Sequence, residues 1–357
     1  MQRVATVFRG DRPWRSFGRD RGATPCDRAR IVRGCRALRI GLLAILGLAA
    51  ATDVHAQQHY PSGAVTLVVP LPPGGTVDII ARAVAERLQA YTGQPFLVEN
   101  ITGGGTTIAA ERVARAPADG YTLLVATSTT LSSNPYFYRK LRYKITDFQP
   151  ISLLSRNEFV LHMRRTLPAS NLSELIAYAA RTPGGITFAT VGRGSTSEVL
   201  GELMKAAFKV EIRDVPYRGS PPALTDVMNG VVDMDMDNIT STLPHLRSGR
   251  SKIIAVTGEM RSPLMPDIPT LAELGYPAMT MYNIFAMLAP NGTPRPIVDR
   301  LNSLVHRGLA EPSLMERLVA QGAPPRPTTP EGLTEVMARD SAFYEKNVRE
   351  LKLPPID

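Results

Sequence analysis

Residues 72–78 read Pro-Pro-Gly-Gly-Thr-Val-Asp and follow the apolar run "AVTLVVP". A helix-like pattern begins directly after them. Gly74 and Gly75 let the backbone approach a ligand without Cβ clashes. The first turn of the next helix offers unpaired N–H groups and a positive dipole end, so Pro73–Asp78 is a candidate anion cradle. Thr76 could cap the helix or touch the ligand, and Asp78 suits the dipole from the first turn. The lysine of a G-x-x-x-x-G-K-[ST] loop is missing, which argues against nucleotide hydrolysis. A plain strand-to-helix turn would look the same from this loop alone.

"VGRGSTSE" (191–198) repeats the theme. Gly192, Gly194, Ser195 and Thr196 supply backbone N–H groups and hydroxyls. Arg193 could hold a carboxylate bidentately, although a solvated arginine is equally consistent. Ser197 stands where a dinucleotide fingerprint needs its third glycine. Two anion-binding helix ends suit a small molecule with two acidic ends held between them.

Other chemistry is harder to find. Asp233, Asp235 and Asp237 alternate along "DMDMDN". Hard-cation sites usually draw oxygens from a curved loop, and no glycine bends this stretch, so no metal is expected. Past residue 56 the histidines are scattered, with no i, i+4 pair. There is no G-x-S-x-G elbow, and "TSTTLSSNP" (127–135) reads as a polar loop. No nucleophile, base and orienting group suggest themselves.

These loops need elements to position them. "AVTLVVP" (64–70), "PFLVEN" (95–100) and "YTLLVATST" (121–129) read as strands. Helical stripes run between them, with Val77, Ile80, Ala81, Val84 and Leu88 at helical spacing. The β-α-β-α-β order predicts a parallel sheet with helices on its faces. Ligands in such sheets sit beyond the carboxyl ends of the strands. Three loops should therefore gather at one edge: Pro70–Asp78, Gly103–Thr107 with Gly105 and Thr106, and Thr127–Thr130 with Thr127 and Ser128. The pattern then restarts. Helices are predicted over 171–180, 198–208 and 221–230, with Asn171 and Glu174 forming a capping box. Strands are predicted over 186–191, 231–238 and 251–258, and a strand and turn over 212–219. The tail from residue 283 holds helices such as 295–310 and should pack back on the first unit. The fold class is α/β, two lobes that are each a mostly parallel sheet flanked by helices. The crossings are expected near 158–164 and 280–287. Lobe 1 would comprise 57–160 plus 283–357, and lobe 2 would comprise 161–282.

Residues 1–56 read as a leader. A basic segment precedes "IGLLAILGLAAAT" and then Val54-His55-Ala56, the pattern of a cleavable secretory signal cut after Ala56. The apolar run is too short to span a bilayer. The leader holds 11 of the 41 basic and 4 of the 32 acidic residues, so the net charge drops from +9 to +2 without it. That argues against nucleic acid as a partner. Cys26 and Cys35 are both in the leader, so the remainder has no thiol nucleophile and no disulfide. A periplasmic location suits such a chain.

Six segments in order carry a resemblance: "YPSGAVTLVVPLPPGGTVDIIARAVAERL", "GQPFLVEN", "ADGYTLL", "VPYRGSPPALTDVMNG", "DNITSTLPHLRSG" and "IPTLAELG". Together they resemble the Bug family, the TctC-like periplasmic solute receptors of tripartite tricarboxylate transporters. The resemblance covers 59–357. It implies the two-lobed periplasmic-binding-protein (Venus flytrap) fold and a small organic acid as ligand: a di- or tricarboxylate, an acidic amino acid or an aromatic acid. It implies membrane permease subunits as partners, no cofactor and no catalysis. A monomer is expected. A ligand-presenting partner of a sensor kinase is the alternative, and an enzyme on this scaffold a further one. The family's carboxylate loop matches Pro73–Asp78, its second loop matches Gly192–Ser195, and its Asp-Asn pair matches Asp237 and Asn238. Two departures stand close to the expected cleft. Ile101-Thr102-Gly103-Gly104-Gly105-Thr106 replaces the usual Arg-Pro-Gly-Ala-Gly-Gly, and Ile284-Phe285-Ala286 replaces a common Trp-x-Gly. Phe285 thereby joins the candidate ligand-binding residues.

Overall fold

The computed structural model describes residues 60–357. The leader predicted from the sequence, with Cys26, Cys35 and the expected cleavage point, lies outside the described residues. Val65–Val69, β-branched but for one leucine, forms strand β1. It pairs in parallel with β2 (Phe96–Asn100) and β3 (Thr122–Thr127). Helices α1 (Thr76–Thr92) and α2 (Thr107–Ala114) make the crossovers. The stripe Val77, Ile80, Ala81, Val84 and Leu88 is buried along α1. A short helix, α3 (Asn134–Phe137), precedes the long strand β4 (Phe148–Arg164).

The second half repeats the plan. Helix α4 (Leu172–Arg181) starts at Asn171, whose side chain accepts from the Glu174 N–H at 2.9 Å, as the capping box predicts. Strand β5 (Ile186–Thr190), α5 (Thr196–Phe208), β6 (Ile212–Pro216), α6 (Ser220–Asn229), β7 (Met234–Asn238), α7 (Ile239–Arg247) and β8 (Ser251–Val256) follow. Strand β9 (Tyr282–Pro290) returns, and α8 (Arg295–Leu309), α9 (Pro312–Ala320) and α10 (Pro330–Glu350) close the chain.

The strands join in the order β2-β1-β3-β9-β4-β7-β5-β6, with β8 also on β4. Strand β4 belongs to both halves. Phe148–Glu158 pairs with β9, and from Phe159 onward the pairing passes to β7 and β8. In the first half only β9 opposes the other strands, and in the second half only β4 does. Each half is therefore a mostly parallel sheet flanked by helices, the two-lobed α/β fold predicted from the sequence.

Three main cores hold the molecule. Val65, Leu67, Val125 and Met287 pack with α1 and α8, while Val68, Leu124 and Leu288 pack with α2 and Leu333. In the second half Leu161, Met163, Phe188 and Met234 pack with Leu200 and Met204 of α5. Each fully buried apolar side chain of this size contributes about 1.5–3 kcal/mol.

The structure departs from expectation in three places. The tail does not pack on the first half alone. Helices α8 and α9 do so through Leu301, Leu314 and Leu318. Helix α10 places Leu333 and Met337 in the first half but Tyr344 in the core of the second. At 21 residues it is about 30 Å long, enough to reach both. The strand expected over 231–238 begins only at Met234. Gly230 ends α6 in the left-handed region, and the Asp233 carboxylate takes the Thr187 N–H and hydroxyl. The run 127–135 is not a solvated loop. Thr129–Ser133 forms a single wide helical turn that is buried throughout.

Candidate functional site

The carboxyl ends of β1, β3, β5 and β7 converge on one cavity of about 40 Å³, roughly room for the centres of three water molecules. Four helices begin at its wall. Gly75, Thr76 and Val77 open α1, and Thr196 and Ser197 open α5. Ser220 and Pro221 open α6, and Asn238 precedes α7. All four turn the positive end of a dipole toward it, but their free donors differ. Helices α1 and α7 offer first-turn N–H groups. In α5 the Thr196 and Glu198 N–H groups are taken by Thr129 and Ser195, and in α6 the prolines at 221 and 222 leave only Ser220 to donate from the first turn. No lysine, arginine or histidine lines the cavity. Its positive potential comes from backbone, with hydroxyl and amide side chains alongside. That arrangement suits a carboxylate.

Strand β4 contributes Phe159, and β9 contributes Asn283 and Phe285. Period-2 alternation sends Ile284 and Ala286 to the opposite face, into the core with Leu333. Side chains from both halves meet across the site. Thr76 Oγ1 lies 2.8 Å from Ser241 Oγ, and Thr129 Oγ1 lies 3.3 Å from Thr196 Oγ1. Asn283 Nδ2 donates to Asn238 Oδ1 at 3.2 Å. Behind the wall, the Tyr344 hydroxyl on α10 lies 2.7 Å from Thr196 Oγ1.

Asp237 is the only ionisable residue in the lining. It is 3 % exposed. Its Oδ1 accepts from the Asn238 N–H at 2.6 Å, while Oδ2 is buried without a partner. Burial pushes its pKa up to about 7, and the nearby Asp235 carboxylate adds to the rise. The Ser220 hydroxyl and Asn238 pull the other way without offsetting it. The other aspartates of the run have different partners. Asp235 Oδ1 lies 2.6 Å from His162 Nδ1, both side chains buried, and Asp233 accepts from Arg164 Nε at 2.8 Å. No cluster of three or more His, Cys, Asp or Glu suited to a metal ion occurs among the described residues.

Of the residues singled out from sequence, Gly75, Thr76, Thr127, Thr196, Asp237, Asn238 and Phe285 line this cavity. Nine others, and Gly192 with them, stand outside the lining. Pro73 and Gly74 are exposed at the lip of the loop. Asp78 turns back into its own lobe, accepting from the Gly74 N–H at 3.0 Å, Arg82 Nε at 2.9 Å and Asn100 Nδ2 at 3.0 Å. Burial would raise its pKa, but these donors outweigh burial and hold it below its ordinary value. Gly105 and Thr106 border a separate hollow of about 320 Å³ beside Gly192 and Tyr217. Ser128 donates its N–H to Asn283 Oδ1 and accepts from the Ile284 N–H. Arg193 is half exposed and is held by Glu198 and the Pro354 carbonyl. The Gly194 N–H donates to Glu198 Oε2 at 2.6 Å, and Ser195 caps α5 by accepting from the Glu198 N–H at 3.2 Å. These residues shape the loops whose tips line the cavity.

Sequence reasoning passed over Ser220, Asn283 and Phe159, while Thr129 lies within the Thr127–Thr130 loop expected at the site. Ser220-Pro221 carries a readable signal, a strand-to-helix turn with proline in the first turn. Asn283 and Phe159 sit on crossing strands, whose cleft-facing positions depend on tertiary pairing.

Residues 80–350 match the tripartite tricarboxylate transporter family receptor, TctC. The chain belongs to this family. The receptor is 36% identical over 315 residues to protein BugT of Bordetella pertussis, covering 87% of this chain and 97% of that protein. Among solved structures, it superposes on Rpa4515 of R. palustris with adipate at a TM-score of 0.81 and 36% identity, covering 83% of this chain and 100% of the other. It also superposes on MatC of Rhodopseudomonas palustris with bound malate at a TM-score of 0.77 and 35% identity, covering 81% of this chain and 100% of the other. The six ordered segments of the sequence point to this same family. The family and fold are those of solute-binding proteins.

Proposed function

We propose that the receptor, exported to the periplasm and cleaved after Ala56, closes as a monomer on a small organic acid. It then delivers the acid unchanged to the membrane subunits of a tripartite tricarboxylate-type transporter. The observation that carries this reading is the convergence of four helix N-termini on one cavity that has no cationic side chain. Backbone dipoles hold an anion in place without offering a nucleophile or a base paired to one. The acids bound by the two solved relatives, adipate and malate, support the ligand class. Closure is a rotation of lobe 1 (57–160 and 283–357) against lobe 2 (161–282), hinged where β4 changes partners. Helix α10 then joins the lobes a third time, through Tyr344 and Thr196. Contacts such as Thr76–Ser241 exist only when the lobes meet, so a ligand that bridges them shifts the population toward the closed form.

The test is a thermal-shift panel of di- and tricarboxylates, acidic amino acids and aromatic acids on the purified receptor. A ligand at 100 times its Kd adds about 2.7 kcal/mol of stability. A hit that is recovered chemically intact after incubation supports a carrier. No shift with any acid, on protein unfolded and refolded to strip endogenous ligand, rejects the reading.

A further inference from the structure

Asp237 sits oddly in a site for anions. It brings the one ionisable side chain of the lining, and its sign matches that of the ligand. Its Oδ1 is engaged by the Asn238 N–H, but Oδ2 is buried and has no hydrogen-bond partner. A buried carboxylate oxygen left unpaired is costly. The partners on hand do not remove that cost. Asn283 turns one amide N–H to Asn238, Thr76 faces Ser241, and the Ser220 hydroxyl favours the charged form of Asp237 without offsetting its burial. A group on the ligand would satisfy Oδ2 if it brought an N–H or O–H. A second carboxylate placed there would meet like charge.

We propose that Asp237 selects the ligand by accepting a hydrogen bond from it, so that the cavity takes an amino or hydroxy acid in preference to the same acid without that donor. This rests on the carboxylate-receptor reading above and names the ligand class within it. The helix N-termini hold the carboxylate, and Asp237 reads the donor. A single site thereby recognises an anionic and a donor group through neutral backbone at one end and one carboxylate at the other.

Protonation separates this from the opposite arrangement, in which a neutral Asp237 donates to a second carboxylate. Burial and Asp235 raise the Asp237 carboxyl to about 7. The titratable groups nearby are Asp235 on the same strand, His162 bonded to it from β4, and His245 on α7. If Asp237 must accept, affinity rises with pH through about 7. If it donates, affinity falls over the same range.

The experiment is calorimetric titration of the full receptor with two matched sets, propionate, lactate and alanine, and succinate, malate and aspartate, at pH 5.5, 7 and 8.5. We expect a donor-bearing acid to bind at least about tenfold tighter than its parent, with affinity rising with pH. Asp237→Asn should shrink that preference and flatten the pH profile, which separates Asp237 from the two histidines. Equal or tighter binding of propionate or succinate, or affinity falling with pH, overturns the inference and leaves the receptor reading intact. Binding by none of the six rejects the inference, and silence across the wider acid panel rejects the receptor reading as well. Should the Asn variant fail to fold, the wild-type selectivity and the sign of its pH profile still decide.

Discussion

Thr76 and Ser241 stand 165 positions apart, and their hydroxyl oxygens lie 2.8 Å apart across the cavity wall. One is the first residue of α1, in the first half. The other is in the first turn of α7, in the second half. Both hydroxyls are buried. Their hydrogen bond therefore joins the two halves at the site itself.

Thr76→Val removes the hydroxyl and nearly keeps the volume. A buried hydroxyl pair contributes about 1 kcal/mol net. If that energy belongs to the closed form, the binding-competent population drops and apparent affinity for an acid falls about fivefold. Titration of Thr76→Val, Ser241→Ala and the double variant with the best acid of the panel measures this. Additive losses in the double variant would show that the two hydroxyls act separately.

The loop before α1 distinguishes its two glycines. Gly74 has φ +85° with open space where a Cβ would stand, while Gly75 is extended and buried at the helix start. Gly74→Ala should cost about 1 kcal/mol through backbone strain alone. Gly75→Ala should leave stability nearly unchanged, yet weaken acid binding, because its Cβ adds bulk beside the helix N–H groups. Urea unfolding and ligand titration on both variants check the split, which fails if the two behave alike.

His162 and Asp235 form a buried pair between β4 and β7. His162→Leu strands the Asp235 carboxylate and should destabilise by about 3 kcal/mol. Adding Asp235→Leu should restore part of that loss, since replacing both partners by apolar groups removes the stranded charge. A double-mutant cycle on urea midpoints reads the coupling, and its absence would mean the pair acts through packing alone.

Asp340 on α10 supplies a pH signature. Burial raises its pKa from 3.8 to about 6, against the pull of the Ser132 and Ser128 hydroxyls and the Arg156 charge. An acid held above its unfolded pKa stabilises the fold while it is protonated. Its contribution is complete below about pH 4 and is lost as pH rises through about 6. The melting temperature of Asp340→Asn, relative to the parent, should therefore improve from pH 4 to pH 7. A difference that stays constant across that range would contradict this.

Local patterning made most elements readable. The β-branched run of β1, the stripe on α1 and the Asn171–Glu174 box each depend on neighbours within a few residues, and each appears as predicted. Helix α7 did not announce itself, because Ile239, Thr240 and Thr242 are poor helix formers and Pro244 lies inside it. Its burial against β4 and β8 compensates.

The sequence by itself determined the two α/β units, the glycine loops at their strand ends and the family. All of these are written in short-range spacing or in ordered segments. Only the tertiary structure decided which side chains reach the cavity. Arg193 and Asp78 looked suited to an anion or its helix, yet each is taken up by partners in its own lobe or the tail. Asn283 and Phe159 looked unremarkable, yet the pairing of β4 with β7 and β9 turns both into the cleft. The reach of α10 from one half to the other was equally hidden, because an amphipathic stripe specifies that a face is buried and leaves open against which core.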